Sequence, residues 1–123
     1  MSRMADRLLV KVTCGTDDPE RSNQAFTVAS AAVAAGAEVS LWLTGEAAWF
    51  AVVDKSPDLG LPHATPVAEL LSVVREAGRV TLCTQCAARR GITEDDVLPR
   101  VRVSGAAVFV EEALHDSTQA LIY

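Results

Sequence analysis

An α/β domain built around a parallel sheet is the fold class this sequence predicts, and three observations predict it. Short apolar, β-branched runs alternate with helix-length segments along the whole chain. Two of those segments open on a polar residue followed by proline, Asp18-Pro19 and Thr65-Pro66, and close on a glycine, Gly36 and Gly78. Strands and helices alternating at this spacing imply βαβ units with right-handed crossovers, and so a mainly parallel sheet covered on both faces. The expectation is a three-layer α/β/α sandwich with a five-stranded sheet. A chain of 123 residues holds one hydrophobic core and is too short for two ordinary ones, so residues 1–123 read as a single domain.

The elements follow in order. Leu8 to Thr13 is an apolar run that ends at Cys14-Gly15, and the polar Thr16-Asp17-Asp18 beyond it is loop chemistry. Asp18 caps a helix that Pro19 opens; Ala25, Val28, Ala29, Ala32 and Val33 recur at helical spacing until Gly36 stops it. Its alanine-rich face lets it lie close to a sheet. Glu38 to Leu43 is the second strand, and Thr44-Gly45 leads into Glu46 to Val53, a helical segment apolar almost all round. Asp54 to Pro66 is the one substantial irregular stretch, of a length that suits a lid or an oligomer contact. Val67 to Ala77 is a helix and Val80 to Cys83 a third strand. Thr93 caps a short helix reaching about Leu98. Val101 to Val103 is the fourth strand, Ser104 caps a helix from about Ala106 to His115, and Ala120 to Tyr123 closes the sheet.

Composition excludes several classes of function. Half the residues are apolar and 22% are charged, which argues against disorder, and the formal charge of -5 argues against a nucleic-acid partner. No stretch approaches the roughly 18 to 20 uninterrupted apolar residues of a membrane span. Arg3 and Arg7 precede a short apolar run, but Lys11 interrupts it and no small-residue cleavage site follows, so no signal peptide is expected. The reading is a cytoplasmic protein. Three cysteines, an odd number in a reducing compartment, then read as free or functional thiols rather than a disulfide framework.

Cys83 and Cys86 stand in Leu82-Cys83-Thr84-Gln85-Cys86-Ala87-Ala88-Arg89-Arg90-Gly91, just where a hydrophobic strand ends. A thiol is nucleophilic as thiolate, and its pKa falls from about 8.5 near cationic side chains or at a helix start. Thr84 to Arg90 reads as a helical turn whose first backbone N–H groups, those of Thr84 and Gln85, face the Cys83 sulfur, while Arg89 and Arg90 add positive charge. The same donors suit an anionic persulfide, sulfite or phosphate. The competing reading is that Cys83 is a small buried apolar residue at a strand end.

A C-x-x-C pair also invites a dithiol-oxidoreductase reading, yet no aromatic residue precedes it, no proline lies inside it, and it comes late in the chain. Structural zinc needs four ligands, and Cys14, His63 and His115 are the scattered additional candidates, so no metal is expected. No organic cofactor is implied either: Gly15, with Thr16 and Asp17, suits a phosphate-cradling turn, but neither a G-x-G-x-x-G nor a Walker A pattern is present. Asp95 and Asp96 are explained by a helix's first turn. Cys14 leaves the first strand as Cys83 leaves the third, which places all three thiols at the carboxyl edge of the sheet, where open α/β folds keep their ligand crevice. Trp42, Trp49 and Phe50 either fill the core or line a subunit interface.

The Thr13-Cys14-Gly15 exit, the Arg21-to-Ala35 helix ending in Gly36, Cys83 through Arg89-Arg90 to Gly91-Ile92, and the closing Val103-Ser104-Gly105 to Tyr123 together resemble the DsrE/DsrF-like family of sulfur-relay proteins, which includes TusD-type sulfurtransferase subunits. The resemblance covers nearly the whole chain. It implies a three-layer α/β fold, homo-oligomers of trimer or hexamer size, and a cysteine that carries sulfur as a persulfide between donor and acceptor proteins. By motif position that cysteine is Cys83. Cys86 is not required by the sulfurtransferase members and resembles the homo-oligomeric branch; a thiol there either undoes sulfur storage or acts as a release step. The function expected is thus a sulfurtransferase-like carrier, with Arg89, Arg90 and nearby N–H groups stabilising the anion and Cys86 as a resolving or tuning thiol. The rival is a non-enzymatic oligomeric protein that binds a small anion or nucleotide and whose cysteines are structural.

Overall fold

In a computed structural model that describes residues 6–123, five parallel strands form one sheet in the order β4-β3-β2-β1-β5. Arg3 and the start of the amino-terminal segment read above for a leader lie outside the described residues. The strands are β1 (Arg7–Val12), β2 (Glu38–Leu43), β3 (Arg79–Cys83), β4 (Val101–Ser104) and β5 (Thr118–Ile122). The chain steps from β1 to β4 in one direction across the sheet. Right-handed crossovers therefore keep the intervening helices α1 (Pro19–Ala34), α2 (Val67–Ala77) and α3 (Thr84–Arg89) on one face. The last crossover runs back past three strands to the far edge, so the same handedness throws α4 (Ala106–Ala113) onto the opposite face.

Alternation along the strands sorts the residues between these faces. Toward α1 and α2 point Val10, Val12, Leu41, Leu43, Val80 and Leu82, all fully buried, where they meet Phe26, Ala29 and Val74. Each such aliphatic group contributes about 1.5–3 kcal/mol through removal from water. Ala25 and Ala29, also fully buried, let α1 settle close to the sheet.

The α4 face is different in kind. No residue of α4 is fully buried, and the strands present Lys11, Ser40, Trp42, Thr81 and Arg102 to it. Phe109 meets Trp42 edge-on at 5.3 Å. Beside that pair, Glu112 accepts hydrogen bonds from Ser40 Oγ at 2.6 Å and Trp42 Nε1 at 3.1 Å, and it pairs with Arg102, which donates through Nε to Thr81 Oγ1 at 2.6 Å. A buried indole N–H and an inward arginine are thereby satisfied by one carboxylate.

Trp42 and Phe50 prove to be core residues: Trp42 is 2% exposed, Phe50 is fully buried against Phe26 at 5.1 Å, and Trp49 is partly buried against the same core. The large apolar groups left in water are instead Val110, Leu114 and Ile122, with Val53 and Val73.

Several element boundaries differ from expectation: β5 starts at Thr118 rather than Ala120, and α4 ends at Ala113 rather than His115. The segment read as a helix over Glu46 to Val53 is a 3-10 helix over Gly45–Ala51, because Val52 turns extended and bridges Val97. For the same reason the helix expected from Thr93 to Leu98 shrinks to Glu94–Asp96: Leu98 N–H donates to the Ala51 carbonyl at 2.8 Å instead of continuing a helix. Helix α4 is entered through Gly105 without a side-chain cap, so Ser104 remains in β4. Asp18, by contrast, caps α1 as expected, accepting the Arg21 N–H at 3.4 Å.

Candidate functional site

Three loops meet at the carboxyl edge of the sheet, and glycines let them approach. An added Cβ on Gly45 would lie 2.2 Å from the Thr13 carbonyl oxygen, at a backbone φ of +53°, and one on Gly15 would lie 2.9 Å from the Glu46 carbonyl oxygen. The exits of β1 and β2 are thus drawn together. The β3 exit joins them through Gly45, whose N–H donates to Cys86 Sγ at 3.2 Å, and through Arg90, whose Nε donates to Glu46 Oε2 at 2.9 Å. The loops carrying Cys14, Gly15, Cys83 and Cys86 therefore form one cluster, as the strand-edge reading requires.

Cys83 is the last residue of β3 and the N-cap of α3, and it is partly exposed. Alternation places it on the α4 face with Thr81, while Cys86 turns into the core on the other side and is 9% exposed. As the cap of α3, Cys83 has its sulfur near the N–H groups of Gln85 and Cys86 and near the Cys86 thiol. Burial by itself pushes the Cys83 thiol up, but these polar neighbours and the charge of Lys11 outweigh it, and the net direction is down from the ordinary thiol value. All three cysteines are free thiols.

Cys14 behaves in the opposite way. It is 5% exposed within the main core, and burial, followed by the charges of Asp18 and Asp17, pushes its thiol up, with Arg21 a smaller opposing influence. Of the two cysteines at strand exits, only Cys83 is electrostatically prepared to ionise. No cluster of three or more His, Cys, Asp or Glu residues among the described residues could hold a metal ion.

The Gly15 N–H is occupied by Asp17 Oδ1 at 2.7 Å, so this turn closes on itself. Thr84 and Arg89 are exposed on α3, and the Gln85 N–H lies in the first turn beside Cys83, where it favours the thiolate. Arg90 is turned away from the thiol: its guanidinium grips Glu46 at 2.8 Å and the Cys86 carbonyl at 3.2 Å. It fastens α3 to the 3-10 helix, and the cation that acts on Cys83 is Lys11. Lys11, Gly45 and Glu46 are the functional neighbours the sequence reading missed. A lysine interrupting an otherwise apolar strand was the available signal for Lys11, whose ammonium lies over the Phe109 ring at 5.1 Å on the same face as Cys83. Gly45 and Glu46 carried no such signal.

Fold and site together define a class: a parallel α/β protein with a cysteine of lowered pKa at the carboxyl edge of an inner strand. The chain belongs to the DsrE/DsrF-like family, whose model matches residues 6–119. Among solved structures it is similar to the YchN protein of E. coli, with a TM-score of 0.79 and 16% identity over 98% of this chain and 100% of that one. It is also similar to MTH1491 of Methanobacterium thermoautotrophicum, titled a protein of unknown function, with a TM-score of 0.68 and 14% identity over 95% of this chain and 98% of that one. At such identities the likeness is one of fold. No curated protein matches the chain.

Proposed function

We propose that this protein is a sulfur carrier of the sulfurtransferase type, in which Cys83 takes up sulfane sulfur as a persulfide and passes it to an acceptor. Family membership supports a role related to sulfur relay, and the observation that carries the finer reading is the environment of Cys83: partly exposed at a strand exit, the cap of α3, near the Cys86 thiol, and lowered in pKa. The Cys83 thiolate attacks the terminal sulfur of a donor persulfide. The donor's S–S bond breaks, the donor leaves as thiolate, and Cys83 retains the sulfur as a persulfide anion. The Gln85 and Cys86 N–H groups that hold the thiolate hold this anion by the same charge-assisted bonds. In the second half an acceptor nucleophile attacks the terminal sulfur and Cys83 departs as thiolate.

The test is intact mass after incubation with a persulfide donor. At early times, before any onward reaction of the bound sulfur, wild type should gain one sulfur atom, Cys83→Ser should gain none, and Cys14→Ser should gain as wild type does; Cys86→Ser should gain the same atom. Absence of any gain across donors in both wild type at early times and Cys86→Ser would remove the carrier reading and favour the anion-binding alternative.

A carrier that meets donor and acceptor proteins suits a homo-oligomer of the trimer or hexamer kind, and the exposed apolar residues support this. Val110, Leu114 and Ile122, at 50%, 80% and 64% exposure, lie on or beside the α4 side of the sheet, the face that α4 alone covers among the described residues. A reducing, cytoplasmic setting matches the free thiols that the cycle needs.

A further inference from the structure

We infer that Cys86 resolves the persulfide on Cys83, making the pair a dithiol centre that reduces sulfane sulfur and releases it as hydrosulfide. The inference rests on the persulfide reading and goes beyond it by assigning the fate of the sulfur. Three observations carry it. Cys86 sits at the third position of the helix that Cys83 caps, and the side chains of a cap residue and of the third helical residue lie beside each other across the first turn. Cys86 is 9% exposed and walled by the core, so the neighbouring Cys83 sulfur is its chemical outlet, while Cys83 is the sulfur open to a donor. Gly45 N–H holds Cys86 Sγ from behind at 3.2 Å, on a loop whose conformation only glycine tolerates.

This order of exposure makes the sequence of events directional. A donor persulfide loads Cys83 and leaves as its thiol. The Cys86 sulfur then attacks the inner sulfur of the Cys83 persulfide. A bond forms between the two cysteine sulfurs, the bond to the terminal sulfur breaks, and that sulfur departs with the bonding pair and one proton as hydrosulfide. The two thiols lose two electrons and the sulfane sulfur gains them. The resulting Cys83–Cys86 disulfide returns to the dithiol by exchange with an external dithiol reductant.

The experiment uses reduced full-length protein, freed of reductant, and glutathione persulfide as probe. Its transfer step yields glutathione and no sulfide, so sulfide measured above the Cys83→Ser background reports the second step alone. Wild type is expected to release one equivalent of sulfide and to end two hydrogens lighter, with Cys83 and Cys86 joined in peptide maps. Cys86→Ser, with Cys86→Ala as the second variant, is expected to stay one sulfur heavier and to lose the sulfide burst. If wild type keeps its extra sulfur as long as both variants do, the inference falls while the persulfide reading stands. If no protein gains sulfur and no sulfide appears, the reading beneath it falls as well. A parallel oxidation with diamide must close the disulfide in wild type and in Cys14→Ser; failure there overturns the inference independently of any persulfide.

Discussion

At the scale of single residues, two thiols at the exits of parallel strands diverge because of what surrounds each sulfur. Cys83 stands at a helix start within reach of the charge of Lys11; Cys14 is buried beside two carboxylates. Iodoacetamide should therefore modify Cys83 well before Cys14 at neutral pH, as read by peptide mapping over time. Lys11→Met should slow the Cys83 reaction severalfold and shift its rate profile to higher pH, whereas Arg90→Ala should leave that profile in place, since the Arg90 guanidinium is engaged with Glu46. Equal rates for the two cysteines would remove the electrostatic distinction. Gly45 is the second decisive residue. Alanine there meets both a positive φ and the Thr13 carbonyl, so Gly45→Ala should cost about 1–3 kcal/mol in denaturant unfolding.

Between elements, two polar ties hold what apolar packing leaves loose. Arg90 and Glu46 join α3 to the 3-10 helix, and since Glu46 is about two-fifths exposed, a double-mutant cycle should give a coupling of only about 0.5–1 kcal/mol. Glu112 is a stronger tie. Burial raises its carboxyl, but hydrogen bonds from Ser40, Trp42 and Arg102, with the Arg102 charge, bring it below the ordinary value of 4.5. A carboxylate lowered by folding stabilises fully above its ordinary pKa, and that contribution is lost as the pH falls through the lowered value. Unfolding midpoints should accordingly hold level down to about pH 4.5 and then decline. Glu112→Gln should flatten this acid decline and reduce stability at neutral pH by about 1.5–3 kcal/mol. An unchanged acid limb in that variant would show that other carboxylates govern it.

For the molecule as a whole, the asymmetry of the two faces is the main consequence of topology. Three helices crowd one face because the chain advances across the sheet in one direction, and a single eight-residue helix returns over the other. If copies associate through this thinly covered face, light scattering should give a mass several times 13.0 kDa, and Leu114→Asp should reduce it toward the single chain without loss of helical signal. A wild-type mass of one chain would exclude that association.

Much of the fold was legible because its signals are local. The cap and proline at Asp18-Pro19, the stop at Gly36, the β-branched runs and the C-x-x-C at a strand end each depend on a few adjacent residues. Misplaced boundaries trace to contacts distant in sequence: Val52 against Val97 shortened two segments that local pattern extended.

The site divides along the same line. The sequence by itself determined that thiols would stand at the carboxyl edge of a parallel sheet and that Cys83 would lead a helical turn, since strand, turn and motif are contiguous. Only the tertiary structure decided which cation acts on that sulfur, that Arg90 is a fastener, and that Cys86 is buried behind Cys83. Those outcomes depend on how β1, β2 and β3 are ordered and on which side each residue faces. Charge and burial act through space, and the distances that matter are set once the strands are side by side.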